Sequence, residues 1–501
     1  MMELKQMVEQ FKAHQKKMHA YSHAMGLLYY DSVTTMPSGA SETLGETLGV
    51  LSEETYKLEV NDEYRTLLHA LYEQRGELDY QTRREAEELF EDQQKIEKIP
   101  MEEYVAFQMD QNASQHAWHE AKEKSDYAIF KPHLQKMIDF MFKYAEYIKP
   151  GQPVYDTLLN EYERGLTCAV ADQYFDTVKA AVVPLVRKIL DKGMQPRRDF
   201  LVRSCPIPQQ RELSRYLMGL MCIDPAHCAI GETEHPFTTE FSKNDVRITT
   251  HYHEHNMISN VFSVIHEGGH ALYELNIGDS LLHSALAHGT SMGVHESQSR
   301  FWENIIGRSM PFCTMIFPKI KELFPQQMAD VSAEEFYRAV NIAEPSLVRT
   351  EADELTYSLH VLIRYELEKK IFNREITAED LPEAWNALYK EYLGVDVPCD
   401  REGILQDSHW SAGSFGYFPS YSIGSAYSCQ IVKSMERDLP VWELAARGDM
   451  KPIVEWLTAR VYRFGAMITP PEVLQNCCDA SFDPRFYTEY LAEKFTALYN
   501  L

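Results

Sequence analysis

From residue 1 to about 150, apolar residues recur every three or four positions between Glu, Lys and Gln, as in MVEQFKAHQKKMHAYSHAMGLLYY and REAEELFEDQQKIEKIPMEEYVAFQM. That period lays one buried stripe along a helix and predicts a succession of amphipathic helices. Pro150, Gly151 and Pro153 interrupt it, helices resume through DQYFDTVKAAVVPLVRKILDKG, and PRRDFLVRSCPIPQQ reads as a surface connection. Between 236 and 253 the texture changes. PFTTEFSKNDVRITTHYH is rich in Thr, Phe, Val and Ile around a central Ser-Lys-Asn-Asp, which predicts a β-hairpin. Helical spacing returns from Asn260, and EPSLVRTEADELTYSLHVLIRYELEKKIF is predicted as the longest helix, with Pro345 in its first turn. GSFGYFPSYSIGSAYS reads as an aromatic, glycine-rich loop. No internal repeat, low-complexity tract or flexible linker divides the chain. The expectation is one large, mainly helical unit with a deep cleft.

Length changes this picture little: 501 residues would permit two or three domains, and the pattern shows no seam between them. Apolar residues at 45% and charged residues at 25% are the balance of a globular protein. Charge excludes more. Acidic residues outnumber basic ones 75 to 49, a formal net charge of -26 that repels nucleic acid and anionic lipid. The nine cysteines are odd in number and scattered without a C-x-x-C pair, Cys477 and Cys478 being the one close pair, so they fit neither a disulfide framework nor a zinc ribbon. The opening MMELKQMVEQFKAHQKK carries charge every few residues, and no window approaches the length of a membrane span. A reducing cytoplasm is the expected home.

Chemistry concentrates in VFSVIHEGGHALYELNI, residues 261–277. His266 and His270 stand one turn apart, so both imidazoles leave the same stripe of a helix and can grip one ion. Val261, Phe262, Val264, Ile265, Leu272 and Leu275 supply its buried flanks; Asn260 or Ser259 is expected to cap it and Gly278 to end it. Gly268 and Gly269 each cost about 1 kcal/mol against alanine, which makes sense where another backbone or a substrate comes close. Imidazole favours zinc, and a catalytic zinc takes three protein ligands. SMGVHESQSRFWENIIGR places Glu296 in the first turns of another predicted helix, 26 residues after His270, as in zincins whose third ligand is a later glutamate. The metzincin pattern H-E-x-x-H-x-x-G-x-x-H fails, because Asn276 occupies its last position. Glu267, between the histidines, is positioned to take a proton from a zinc-activated water and pass it to a leaving amine.

With HEGGH and HESQ together, the chain resembles the carboxypeptidase Taq family of zinc metallocarboxypeptidases. Further motifs carry the likeness: Asp245-Val-Arg247-Ile-Thr249 as D-x-R-x-T, Val348-Arg349-Thr-Glu-Ala352-Asp353 as I/V-R-x-x-A-D, Gly403-Ile-Leu-Gln406-Asp407-Ser-His409-Trp410 as G-x-x-Q-D-x-H-W, and His235-Pro236-Phe237. The resemblance implies a mainly α fold, a large helical body with a long deep substrate groove and a small β-sheet next to the HExxH helix. It implies one catalytic unit over 1–501, with an N-terminal helical lobe over the cleft at about 1–150 and the zinc-site region at about 230–430. It further implies a homodimer holding one zinc per chain, cobalt being able to substitute. The expected activity removes C-terminal residues from peptides with broad preference and poor action on proline.

An exopeptidase also needs a fixed cation for the substrate's terminal carboxylate, and arginine's planar fork suits that task. Arg349 is the first choice, with Asp353 one turn later as its expected salt-bridge partner, and Arg247 the second. Oxyanion stabilisation asks for donors facing the carbonyl oxygen. His409 followed twelve residues later by Tyr421 resembles the spacing in helical peptidases related to angiotensin-converting enzyme and neurolysin, with Tyr417 and Tyr427 as competitors. His251, His253 and His255 read as strand surface or cleft lining, and His295 as a partner of Glu296 or of substrate. Asp353 and Asp407 are expected partners of the zinc histidines. Two rival functions use the same residues differently: an oligopeptidase or dipeptidyl carboxypeptidase on the same scaffold, and a non-catalytic helical peptide-binding protein with a vestigial metal site.

Overall fold

The computed structural model describes residues 3–501. It is mainly α-helical, with twenty α-helices and one three-stranded sheet among the described residues. None of these helices is long and apolar enough to cross a membrane. Alanine-, leucine- and glutamate-rich stretches form helices as their period predicts, and one large apolar core runs from Ala121 to Tyr499. A second, smaller core gathers Met7, Phe11, Leu68, Leu71 and Ala86, so the first helices bury much of their apolar stripe against one another.

The sheet holds β1 (Cys228–Glu232), β2 (Thr238–Ser242) and β3 (Asp245–Thr250) in the order β1-β3-β2. β2 and β3 form the expected hairpin, antiparallel and closed by Lys243 and Asn244. β1, parallel to β3, carries too weak an alternation to be predicted from CAIGE. Strand alternation then decides what each face meets. Thr238, opposite Ile248, faces the helix that carries HEGGH, whereas Arg247 and Phe241 face the N-terminal helix, where the guanidinium lies 5.1 Å above both the Tyr30 and the Phe241 ring. The sheet is therefore a spacer between the N-terminal helix and the HEGGH helix.

Three expectations need correction. The longest helix is Leu4–Thr34, with 31 residues; the 344–372 segment is helical only over Tyr357–Phe372. Asp353 stops it short, because its carboxylate accepts from the Leu355 and Thr356 N–H groups and fixes a turn upstream, while Arg349–Glu351 forms a single 3-10 turn. The expected loop at 413–428 is mostly helix, Phe418–Met435. Its glycine signal was one of packing: a Cβ on Gly424 would lie 2.8 Å from the Gly293 carbonyl and 2.9 Å from Glu296 Cβ, so the bare position lets this helix rest on the HESQ helix. Finally, part of the expected surface connection, from Ile207, belongs to the helix Ile207–Leu220.

Candidate active site

HEGGH lies within the helix Met257–Leu275, capped by the Asn256 side chain, which accepts from the Ser259 N–H. The cap sits earlier than expected, because Asn260 is buried in bonds to Ser214 and Thr250. The helix closes at Asn276; Gly278 instead has a negative φ of -61° and donates its N–H to the Arg463 carbonyl. Gly269 explains itself. A Cβ there would stand 2.7 Å from the Gln298 carbonyl oxygen and 2.8 Å from Ser299 Cα, so the missing side chain admits the backbone of the HESQ helix, Met292–Arg300. Gly268 leaves room for Met221.

That close approach brings Glu296 between the histidines. Its Oε2 is 3.7 Å from His266 Nε2 and 3.6 Å from His270 Nε2, and the two rings are 5.0 Å apart at 78°. The three donor atoms lie within 4.8 Å of one another. Donors about 2.1 Å from a tetrahedral ion sit roughly 3.4 Å apart, so this set fits zinc in spacing as well as in chemistry.

Each histidine is held from behind. His266 Nδ1 donates to Glu303 Oε2 at 2.9 Å, and Glu303 also receives Arg300 and Arg308. Behind His270 runs a chain: its Nδ1 meets His295 Nδ1 at 2.5 Å, and His295 Nε2 meets Glu274 Oε1 at 2.7 Å. The Glu274 carboxylate accepts from His295 Nε2–H and, against the burial that opposes it, raises that ring's hold on a proton. Held through their Nδ1 atoms, both rings turn Nε2 toward Glu296. Glu296 itself is fixed by Arg300 Nε at 2.7 Å and the Ser299 hydroxyl at 2.9 Å.

Charges follow from these contacts. Burial pushes His270 down to about 3, so its ring is neutral. His266 is also disfavoured as a cation by burial, but the Glu296 and Glu303 carboxylates outweigh that and leave it raised. Burial likewise opposes ionisation of Glu296, and Arg300 with His266 overcomes it, holding the carboxyl well below the usual range. Glu267 is raised by burial; its Oε2 accepts the Thr238 hydroxyl at 2.6 Å, which aims the carboxylate from β2.

The expected partners Asp353 and Asp407 do not touch these histidines. Asp353 holds the turn before the helix at 357, and Asp407 pairs with arginines. Glu303, Glu274 and His295 take the backing roles instead. A signal existed for the first two: Glu274 is one turn after His270, and Glu303 is seven residues after Glu296, though a π-helical stretch at Phe301–Gly307 shifts the phase there.

Arg349 is 6% exposed and bonds Asp407, not Asp353: Nε and Nη2 reach Asp407 Oδ1 at 3.1 and 2.8 Å, and Nη1 reaches the Tyr357 hydroxyl at 3.2 Å. Arg364 holds the other Asp407 oxygen, its Nε at 2.7 Å. Two guanidiniums around one carboxylate leave an excess positive charge. Arg247 forks onto Asp245 on the opposite face of the sheet from Thr238. His409 Nε2 is 3.3 Å from the Tyr421 hydroxyl, and the Arg349 guanidinium lies 4.8 Å over the Tyr421 ring. Burial pushes His409 down to about 4 despite the Asp407 charge, and burial raises Tyr421. Of the competing tyrosines, Tyr427 bonds the buried Glu163, while Tyr417 stacks edge-on 5.1 Å from Tyr421 and feels the Glu296 charge. His251 and His255 lie beyond β3, bonded to the Ser259 hydroxyl and the Val202 carbonyl.

Comparison with known proteins agrees with this geometry. The model of the carboxypeptidase Taq (M32) metallopeptidase family matches residues 10–495. Carboxypeptidase 1 of Bacillus subtilis strain 168 is 40% identical over 487 residues, covering 97% of each chain. Thermostable carboxypeptidase 1 of Pyrococcus furiosus is 34% identical, covering 97% of this chain and 98% of that one. The crystal structure of an M32 carboxypeptidase from Deinococcus radiodurans R1 superposes with a TM-score of 0.95 at 34% identity, over 99% of this chain and all of that one.

Proposed function

The chain belongs to the carboxypeptidase Taq (M32) metallopeptidase family and is a metallocarboxypeptidase; from that premise we propose that His266, His270 and Glu296 hold one zinc ion, with cobalt as a working substitute, beside Glu267 as the general base. The observation that carries this reading is the convergence of two imidazole nitrogens and one carboxylate oxygen within 4.8 Å. A zinc ion bound there supplies Lewis acidity, polarising a peptide carbonyl and making water a nucleophile near neutral pH.

Glu267, its carboxylate aimed by Thr238, takes the proton of the attacking water and returns it to the leaving amine. Burial raises its proton affinity and so matches it to that exchange. His409 is neutral at pH 7 and Tyr421 stays protonated, so either presents a hydrogen-bond donor to the developing oxyanion. Arg349 uses three of its five N–H groups within the protein, and the Arg349–Asp407–Arg364 cluster carries a net positive charge. A substrate's terminal carboxylate neutralises that charge, which favours Arg349 over Arg247 as its anchor.

The same reading includes broad side-chain preference with poor action on proline, an N-terminal lobe of about 150 residues over the groove, and a homodimer. The nine cysteines among the described residues are all free thiols, which supports a reducing cytoplasm. One experiment tests the exopeptidase claim: a peptide with a free C-terminus against the same peptide amidated, with wild type and Arg349→Ala. Wild type is expected to prefer the free peptide by roughly 10²-fold, releasing single residues, and Arg349→Ala to lose most of that preference. Equal cleavage of both peptides by wild type, or release of dipeptides, would sink it.

A further inference from the structure

Away from the HEGGH helix, a cavity of about 300 Å³ opens between the N-terminal helix, β2 and the loop after residue 278. Histidines meet there from two distant parts of the chain. His19 and His23 are one turn apart on the N-terminal helix, the same i,i+4 spacing as His266 and His270. His283 comes from the opposite wall. Its ring centroid is 4.9 Å from that of His19 at 71°, close to the 5.0 Å and 78° between His266 and His270; His19 and His23 are 6.2 Å apart at 73°.

Two features of His283 point to a missing partner. Its Nδ1 is buried without a hydrogen bond among the described residues, a state that native proteins avoid unless something else satisfies the atom. Its backbone is left-handed, with φ 68°, a conformation that is uncommon outside glycine and that turns this ring into the cavity wall. Burial, together with the neighbouring His283 and His23, keeps His19 below the usual histidine range, so its ring is a neutral donor at pH 7. Glu240 of β2 lines the same cavity and adds an acidic group.

We propose that His19, His23 and His283 form a second site for a borderline divalent metal ion such as zinc, cobalt or nickel, which ties the N-terminal helix to the 279–290 loop. All-imidazole ligation selects that class over magnesium or calcium. The donors are spread more widely than at His266, His270 and Glu296, the one group among the described residues whose donor atoms all fall within 4.8 Å, so capture turns the His23 ring inward and binds more weakly than the first site. This site is independent of the peptidase reading, since none of its three residues belongs to the catalytic set.

The test is metal stoichiometry on the full chain, stripped of metal and titrated separately with zinc and with cobalt under equilibrium dialysis. Wild type is expected to take two equivalents, the second more weakly. His19→Gln and His283→Asn, the latter chosen because asparagine tolerates positive φ, should each take one and keep the kcat/KM of the singly loaded enzyme. His266→Ala should keep the weak equivalent and lose the tight one, which separates this site from the catalytic one. Far-ultraviolet circular dichroism and Tm check that each variant is folded, and His23→Gln, changed on a half-exposed helix face, repeats the test should His283→Asn unfold. A single equivalent in wild type, or a second equivalent that survives in His19→Gln and in His23→Gln, overturns the proposal.

Discussion

Around His266, His270 and Glu296, the side chains are locked from behind: one imidazole by Glu303, the other through His295 to Glu274, the carboxylate by Arg300 and Ser299. Around Arg349, His409 and Tyr421 the arrangement is looser. His409 Nδ1 is buried without a hydrogen-bond partner among the described residues, Tyr417 and Tyr421 crowd each other, and Arg349 keeps N–H groups to spare. On the first wall each of the three side chains facing one point is held by a neighbour before anything binds, and the atom there without a partner among the described residues, Glu274 Oε2, lies behind them. The second has donors in excess, which only an incoming carboxylate or oxyanion uses. Preorganisation is thus bought on the side that must hold a small ion tightly, and spare capacity is kept where peptides come and go.

The comparison breaks most sharply at Glu267, which stands on the first wall but is the proposed base. Glu267→Gln preserves shape and the acceptor for Thr238, so zinc content by atomic absorption should match wild type while kcat falls roughly 10³-fold or more. Retained activity would remove Glu267 as the base; lost zinc would make it part of the locked wall instead. On the second wall, Tyr421→Phe should lower kcat by about 10²-fold and leave KM nearly unchanged, because the lost bond is needed only as charge develops. Tyr417→Phe is the control. A larger effect there than at Tyr421 would exchange the two roles, since Tyr417 also senses Glu296.

The two walls were also unequally legible in sequence. HEGGH, its glycines and HESQ are local patterns on two helices, so His266, His270 and Glu267 are readable from helical spacing, and Glu296 from its likeness to zincins whose third ligand is a later glutamate. The second wall is assembled from residues 349, 357, 364, 407, 409 and 421, and no local period links a guanidinium to a carboxylate 58 residues away. Local spacing therefore offers Arg349 the acid one turn on, Asp353, whose carboxylate instead holds the Leu355 and Thr356 N–H groups of the turn before the helix. The Phe418–Met435 helix was misread for a related reason: serine and glycine usually signal turns, but here they are small because the helix is buried almost all round and must lie against the HESQ helix at Gly424. The hairpin is visible because Thr, Phe, Val and Ile flank a central Ser-Lys-Asn-Asp, whereas β1 owes its existence to a parallel neighbour supplied by the fold.

Glu303 tests whether the locking matters. Glu303→Ala leaves all three proposed metal donors in place but frees His266 Nδ1 and removes one carboxylate partner from each of Arg300 and Arg308. Zinc affinity, measured by competition with a chelator, is expected to weaken by about 10- to 100-fold, with kcat of the fully loaded enzyme changed much less. Unchanged affinity would mean that the first wall is no more preorganised than the second.

The mildest effect is one of pH. In the metal-free protein His270 is neutral down to about pH 3 and Glu296 is already ionised, whereas His266 is raised by its two carboxylate neighbours and holds a proton more tightly than an ordinary histidine. Zinc must displace that one proton, so affinity is flat above the raised His266 value and falls about tenfold per pH unit below it. The second wall contributes nothing to this slope, because His409 has lost its proton by about pH 4 and the arginines stay charged. Binding rather than turnover is the quantity to follow, since Glu267, also raised by burial, would add its own acid limb to kcat. Calorimetric titration of the metal-free protein with zinc near pH 6, in two buffers of different ionisation heat, counts the protons released. One is expected from His266; a count near two would mean that His295, whose proton Glu274 holds, gives it up as well when His270 binds the ion.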